Sequence, residues 1–124
     1  MKKQTFSILI IEDNEWLAES YKRTLEAEGY RVYICNHAIA AIEAIDDFKP
    51  DAIILDMLLT GSTALVLMHE LQSYEDTSRI PIILCTNLAS DLKFDDLRSY
   101  GVRKIIDKTT MHPGDLPAAI RSVL

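Results

Sequence analysis

The chain has 124 residues, 48% of them apolar and 26% charged, which is typical of one globular domain that buries a core without disulfides or a structural metal. Its 19 acidic and 13 basic residues give a formal charge of −6, and an acidic surface repels phosphate backbones, so we expect no nucleic-acid binding by this domain. No apolar run approaches the roughly 18 residues that span a bilayer, and no signal-peptide cleavage pattern follows the basic start, so we expect no membrane association and a cytoplasmic location.

Short β-branched runs alternate along the chain with segments of helical periodicity. The runs predict five strands, at residues 7–11, 31–35, 52–55, 81–85 and 104–106. Several of them are apolar throughout, which is typical of strands buried on both faces of a parallel sheet.

The first helix has signals at both ends. Asn14 is a favourable N-cap, and Gly29 ends a helix that runs to Glu28. Its predicted buried stripe is Leu17, Tyr21 and Leu25.

Four further helices fill the remaining intervals. Helices are predicted over residues 38–48 and 63–74, the second with a stripe of Leu67, Leu71 and Tyr74. Ser90 or Asp91 is predicted to cap a continuous helix that Gly101 stops. Asp115 is predicted to cap a final short helix that carries Pro117 in its first turn.

Five β–α repeats predict the fold. Parallel strands need crossover connections, and helices supply them. We therefore predict an α/β domain, a doubly wound (βα)5 flavodoxin-like three-layer sandwich with a five-stranded parallel sheet. It is predicted to be a single domain over residues 1–124, and because the fifth helix reaches Leu124 we expect no output domain in this chain.

Carboxylate, hydroxyl or ammonium side chains follow four of the five predicted strands. Glu12 and Asp13 follow the first strand, Asp56 the third, Thr86 the fourth and Lys108 the fifth. In open parallel sheets, sites form at the carboxyl ends of the strands, so we expect these five side chains to meet at one edge.

Three converging carboxylates repel one another, by about 4 kcal/mol for each pair at 4 Å and an effective dielectric of about 20. Lys108 supplies one compensating charge, and a partly open site rich in oxygen ligands suits Mg²⁺. The set fits an attack on phosphorus by a carboxylate, with a metal and a lysine neutralising the phosphoryl oxygens and a hydroxyl bonding to one of them.

With these residues in place, the sequence resembles the receiver domain of two-component response regulators over essentially its whole length. Asp56 precedes Thr86 by 30 residues, and Thr86 precedes Lys108 by 22, which are spacings similar to those of the family. The segments that carry the resemblance are Ile8–Asp13, Asp51–Asp56, Pro81–Thr86 and Gly101–Lys108.

The resemblance implies a role for each site residue. Asp56 would be the phosphoacceptor, Thr86 would bond the phosphoryl group and shift on activation, and Lys108 would pair with a phosphoryl oxygen. Mg²⁺ would be bound directly by Asp13 and Asp56, mostly through water by Glu12, and by the backbone carbonyl of Leu58.

The resemblance also implies partners. The phosphodonor would be a phosphohistidine on a sensor histidine kinase or a histidine phosphotransfer protein, and the output would pass to a separate downstream effector protein. The acyl phosphate forms on the protein itself, so we expect self-assisted phosphotransfer and autodephosphorylation rather than an enzyme with turnover.

Four positions depart from the family pattern. Thr60 and Ala64 stand where the family usually has a proline and a glycine after the phosphoacceptor. Ile105 stands where the family commonly has Tyr or Phe, a ring that swings inward when the residue equivalent to Thr86 moves. The switch pair is therefore Thr86 and Ile105, without a ring. Thr109 stands where a proline usually follows the lysine.

Other functions are considered beside this one. A pseudo-receiver, acting as a phosphorylation-independent interaction module, is the alternative, and the departures at Thr60, Ile105 and Thr109 favour it. A phosphatase of the haloacid dehalogenase type expects a second aspartate where Leu58 stands. A flavin carrier expects a phosphate-binding loop after the first strand, where Glu12 and Asp13 stand instead.

Outside the site, Cys35 and Cys85 are predicted to be buried, reduced thiols because each lies in an apolar run. For Trp16 the pattern leaves two positions open, partly exposed beside the pocket or partly buried. Because each helical residue turns about 100°, either Leu92 or Phe94 is expected to face outward.

Overall fold

The structure is a computed structural model that describes residues 5–59, 62–87 and 89–124. Its strands are β1 Ser7–Ile11, β2 Arg31–Cys35, β3 Ala52–Leu55, β4 Leu58–Leu59, β5 Ser62–Thr63, β6 Ile82–Thr86 and β7 Val102–Asp107. Its helices are α1 Glu15–Glu26, α2 Ala38–Phe48, α3 Ala64–Gln72, α4 Glu75–Ser78, α5 Phe94–Leu97 and α6 Asp115–Val123.

A five-stranded parallel sheet in the order β2-β1-β3-β6-β7 forms the centre of the domain. Side chains of β1 alternate between two hydrophobic layers. Ile8 and Ile10 pack with α1 and α6, whereas Leu9 and Ile11 pack with α2, α3 and α5. Helices thus cover both faces, and the predicted doubly wound three-layer sandwich is confirmed.

The start of α1 agrees with its sequence signals. The Asn14 Oδ1 accepts a hydrogen bond from the backbone N–H of Leu17 at 3.1 Å. Tyr21 and Leu25 are buried on the sheet, as predicted. The helix ends at Glu26, two residues before the predicted end, because the chain turns through the left-handed Gly29, at φ 92°, whose N–H bonds to the Glu26 carbonyl at 3.0 Å.

The prediction of one continuous helix between Ser90 or Asp91 and Gly101 is wrong. The segment holds two 3-10 turns, Ala89–Asp91 and Arg98–Tyr100, on either side of the four-residue α5. Lys93 is extended, at φ −105° and ψ 118°, and breaks the helix. Asp95 and Asp96 in the first turn of α5 favour a new N-terminus there, since carboxylates interact well with the positive end of a helix. Phe94 faces outward and Leu92 packs on the core.

The third predicted helix is also shorter than expected. It ends at Gln72, and Tyr74 is extended and 56% exposed, so the predicted stripe holds for Leu67 and Leu71 but not for Tyr74. The Thr77 hydroxyl donates to the Leu71 carbonyl at 2.5 Å, which satisfies a carbonyl near the end of α3 and fixes the unpredicted α4 against it.

Asp115 is the first residue of α6 rather than its N-cap, a position that Gly114 occupies. The Asp115 carboxylate instead accepts the His112 N–H at 2.9 Å. Pro117 lies in the first turn, as predicted, and is buried. The short antiparallel pair β4–β5 carried no sequence signal.

The two edge strands of the sheet are β2 and β7. Basic side chains lie exposed on both of them, Arg31 on β2 and Arg103 and Lys104 on β7. Cys35 and Cys85 are buried and not disulfide-bonded, as predicted. None of the helices in the described ranges has the length and apolar character needed to cross a membrane.

We predict that Gly101→Ala destabilises the domain by about 1–2 kcal/mol because Gly101 has φ 90°, which L-residues avoid. A Cβ there would also lie 3.0 Å from the Gln72 Nε2. Gly29→Ala is the matched control, since it has φ 92° with nothing within 4 Å of the added Cβ. Urea unfolding should show the larger loss for Gly101→Ala, and an equal or larger loss for Gly29→Ala would contradict this account.

Candidate functional site

Backbone hydrogen bonds continue past the last residues of the strands and align the carboxyl ends of the strands with one another. These bonds join the N–H groups of Glu12, Asp56 and Lys108 to the carbonyls of Cys35, Ile11 and Thr86, at 3.2, 3.2 and 3.0 Å respectively. Each of these donors is a predicted site residue, so the register of the strands fixes the position of its backbone at the edge of the sheet.

Three carboxylates meet at this edge. One oxygen from each of Glu12, Asp13 and Asp56 lies within 4.8 Å of the others. Glu12 and Asp56 are buried, whereas Asp13 is the most accessible of the three. The structure thus brings together the acidic triad that the strand-end argument predicted.

The Lys108 ammonium lies between two of these carboxylates. Its Nζ is 2.5 Å from the Glu12 Oε1 and 2.9 Å from the Asp56 Oδ2, and its side chain is only 10% exposed. Burial alone would lower the pKa of Lys108, but the hydrogen bonds to Glu12 and Asp56 and their negative charges outweigh it and raise the pKa. Lys108 is therefore a fixed cation at neutral pH.

Glu12 is held at both carboxylate oxygens. Its Oε2 accepts the backbone N–H of Asn14 at 3.2 Å, while its Oε1 accepts from Lys108. Burial raises the pKa of Glu12, an effect that these two hydrogen bonds oppose without cancelling, and the Asp56 charge adds to it. With both oxygens engaged, Glu12 acts as a fixed acceptor for Lys108.

Thr86 and Ile105 lie on the same face of neighbouring strands. Thr86 is the last residue of β6 and is fully buried. Ile105 pairs in register with Leu84, two residues before Thr86, and packs partly buried against the layer of α2, α3 and α5. The two members of the predicted switch pair thus lie diagonally on one face of neighbouring strands, with an aliphatic side chain in the second position.

Leu58 begins the β4–β5 pair two residues after Asp56. Its backbone therefore lies close in the chain to the acidic triad. The role of its carbonyl as a metal ligand stays a prediction.

The sequence reasoning missed how the turn after β7 is fixed. The Asp107 Oδ1 accepts from both the backbone N–H and the hydroxyl of Thr109, at 2.8 and 2.6 Å. These hydrogen bonds lower the pKa of Asp107. They hold the turn at the position where the resemblance led us to expect a proline, so Lys108 is placed by a side-chain turn. The spacing Asp-x-Thr is a known turn signal and could have been recognised.

Two buried polar side chains lie beneath the site and had no predicted role. The Cys85 thiol donates to the Tyr21 hydroxyl at 3.4 Å, and Cys85 directly precedes Thr86. Burial raises the pKa of both groups above their ordinary values. Both therefore stay neutral at physiological pH, and Cys85 is not a reactive thiolate.

Trp16 is 74% exposed, which decides between its two predicted positions. It lies in the first turn of α1, three residues after Asp13. Its indole is thus accessible to solvent within one helical turn of the acidic triad.

We predict that Lys108→Met lowers the free energy of unfolding by about 3 kcal/mol at pH 7, because it leaves Glu12 and Asp56 buried without their cation. Because the pKa of Lys108 is raised above its ordinary value of 10.5, this contribution is fully present below that pH and is lost as the pH rises beyond it.

Lys104→Met removes an exposed lysine from the same strand and should change stability by less than about 0.5 kcal/mol. Urea unfolding of both variants at pH 7 measures the difference. Equal losses for the two variants would show that Lys108 is not the compensating charge of the site.

We predict that Glu12→Gln gains stability relative to the wild type as the pH rises from about 4 to 7. The folded state raises the pKa of Glu12 above its ordinary value of 4.5, so it retains a proton that the unfolded chain has released, and wild-type stability falls across this window. Glutamine has no such proton. Thermal unfolding at several pH values tests this, and a loss of stability of Glu12→Gln relative to the wild type as the pH rises would contradict it.

Comparison with known proteins agrees with this geometry. The family model described as the response regulator receiver domain matches residues 8–121. The polar-differentiation response regulator DivK of Brucella ovis is 28% identical over 109 residues, covering 88% of this chain and 89% of that protein.

Solved structures give the same result for the fold. The chemotaxis response regulator CheY4 of Vibrio cholerae superposes with a TM-score of 0.88 at 20% identity, covering 98% of this chain and 100% of that chain. The signal receiver domain of a signal transduction histidine kinase from Syntrophus aciditrophicus has a TM-score of 0.81 at 30% identity, covering 96% and 89% respectively. The chain belongs to the response regulator receiver domain family.

Proposed function

We propose that the protein accepts a phosphoryl group on Asp56 from a phosphohistidine of a sensor histidine kinase or histidine phosphotransfer protein. The acyl phosphate then alters binding to a downstream effector protein. The observation that carries the proposal is the contact of Asp56 with Lys108, 2.9 Å apart, inside an acidic triad at the carboxyl edge of the sheet.

In the proposed transfer, an Asp56 carboxylate oxygen attacks phosphorus. The new P–O bond forms as the P–N bond of the phosphohistidine breaks, and the leaving nitrogen keeps the electron pair and is protonated. The Lys108 ammonium, which holds the Asp56 carboxylate before the transfer, pairs with a phosphoryl oxygen after it. The buried Thr86 hydroxyl donates to another phosphoryl oxygen.

The donor set of the site suits Mg²⁺, because its three carboxylates are hard oxygen ligands within 4.8 Å of one another. Asp13 and Asp56 would bind the ion directly, with the Leu58 carbonyl. Glu12 would act mostly through water, which fits its engagement with Lys108 and the Asn14 N–H. Bound Mg²⁺ supplies positive charge that neutralises the phosphoryl oxygens.

The readout must work without a rotating ring. Ile105 occupies the place of the family's aromatic residue and packs on the core with a short, branched side chain. A displacement of Thr86 would therefore be transmitted by aliphatic packing and by the segment 89–101, whose three short turns replace one continuous helix.

The phosphorylated group is part of the protein, so we propose self-assisted phosphotransfer and autodephosphorylation rather than enzymatic turnover. We also propose a cytoplasmic location. A pseudo-receiver is the second candidate, and the observation that favours it is the aliphatic Ile105.

We expect intact-mass spectrometry after incubation with acetyl phosphate and Mg²⁺ to show an added mass of about 80 Da in the wild type. Asp56→Asn should show no adduct, since it lacks the attacking oxygen. Asp47→Asn, on the exposed end of α2, is the matched control and should be labelled as the wild type is.

Mg²⁺ binding is measured separately by quenching of the exposed Trp16 fluorescence. An adduct on Asp56→Asn would refute the assignment of the phosphoacceptor. If Mg²⁺ quenches Trp16 yet no variant gains mass, the pseudo-receiver is the correct function.

A further inference from the structure

A groove with an apolar floor lies between α2 and the α3–α4 connection, away from the acidic triad. One part, about 250 Å³, is lined by Ile42, Ile45, Asp46, Leu71, Tyr74, Asp76 and Thr77. A second part, about 500 Å³, shares four of these residues and continues to Lys49, Pro50 and Ile80. Residues 49–50 and 80 lie within three residues before β3 and β6, so the groove opens at the amino edge of the sheet, opposite the candidate phosphorylation site.

The rim of the groove carries two carboxylates. Asp46 and Asp76 line both parts, from α2 and α4 respectively. Within the described ranges, neither side chain has an ion-pair or hydrogen-bond partner, even though Lys49 lines the second part of the groove. The neighbouring Glu75 differs, because it pairs with Arg79 at 3.2 Å.

The backbone adds to the negative potential at this rim. Asp46 and Asp47 lie in the last turn of α2, which contains no basic side chain. The carbonyl end of a helix is already partly negative, so carboxylates there are unfavourable unless a cation approaches. Asp46 thus lies at a helix end that offers its carboxylate no compensation, whereas Asp76 lies in the first turn of α4, where a carboxylate is favourable. A cation that approaches this rim from outside would compensate Asp46.

Tyr74 supplies the wall of the groove. Its ring is 56% exposed on an extended segment. Exposed aromatic side chains beside apolar pockets are enriched at protein interfaces, because they bury much surface at a small entropic cost. The floor beneath it is built on Ile45 and Leu71, which are packed in the core and hence rigid. Its accessible apolar surface comes from the partly buried Ile42 and Ile80.

We propose that this groove docks a basic segment of a partner protein, one that places an apolar side chain on the floor and an arginine or lysine against Asp46 and Asp76. Charge complementarity selects a cationic occupant. The proposal goes beyond the phosphoacceptor function, because it gives the domain a second contact surface at the opposite edge of the sheet. It would operate in a phosphorylated receiver and in a pseudo-receiver alike.

The test uses two fluorescein-labelled peptides that differ only in charge, one with two arginines flanking a Leu-Leu pair and one with glutamates in their place. Backbone amide NMR shifts locate binding on the full chain, and anisotropy measures affinity at low salt. We expect the arginine peptide to shift residues 42–50 and 74–80, and the glutamate peptide to bind at least tenfold more weakly.

The double variant Asp46→Asn/Asp76→Asn should weaken the arginine peptide about tenfold, and Tyr74→Ala should also weaken it. Glu19→Gln/Glu26→Gln removes the same charge from exposed positions of α1, on the other face of the sheet, and should leave the affinity unchanged.

Three results would overturn the proposal. The first is equal affinity in the two double variants. The second is a set of shifts centred on the acidic triad, where a cationic peptide would bind Asp13 and Asp56 instead. The third is a concentration-dependent dimer that sedimentation detects and Asp46→Asn/Asp76→Asn disperses, which would assign the groove to a second copy of the chain.

Discussion

The parallel register of the sheet is the constraint on which the rest of this domain depends. Because β1, β3 and β7 end level, the backbone N–H groups of Glu12, Asp56 and Lys108 continue the hydrogen bonding of the sheet past its edge. Side chains that are up to 96 residues apart in sequence therefore start from fixed points within reach of one another. If the register of any of these strands shifted by one residue, its apolar side chains would point into the opposite hydrophobic layer. The site residues would then no longer lie together.

The balance of charges at this edge of the sheet determines which ligands the edge favours. The Lys108 ammonium pairs with the two buried carboxylates of Glu12 and Asp56, while the carboxylate of Asp13 is accessible to solvent. The resting site is thus deficient in positive charge, which favours a divalent cation beside the three carboxylates. Beneath it, the neutral Tyr21–Cys85 pair keeps further charge out of the low-dielectric interior, where it would be costly.

Sequence patterns correctly predicted the strands of the sheet, which is covered by helices on both faces, and the residues that follow them. The apolar runs located all five strands of the sheet, and their last residues located Glu12, Asp13, Asp56 and Lys108. Patterns failed where local hydrogen bonds compete with helical periodicity, as at the extended Lys93 and Tyr74. Leu97 and Tyr100 pack on the core although the continuous helix does not form, since the 3-10 turn that ends at Tyr100 also repeats every three residues. The Asp107–Thr109 turn depends on side-chain contacts that no periodicity reports.

The exposed basic residues on the two outer strands have a consequence for behaviour in concentrated solution. An open sheet ends in unpaired backbone groups, which invite strands of other molecules to add. Arg31 on β2, and Arg103 and Lys104 on β7, put like charge on each border, so two molecules approaching border to border repel and must strip water from ammonium and guanidinium groups. These cations thus act as gatekeepers against β-aggregation and sheet-extending polymers, a role separate from anything at the acidic site.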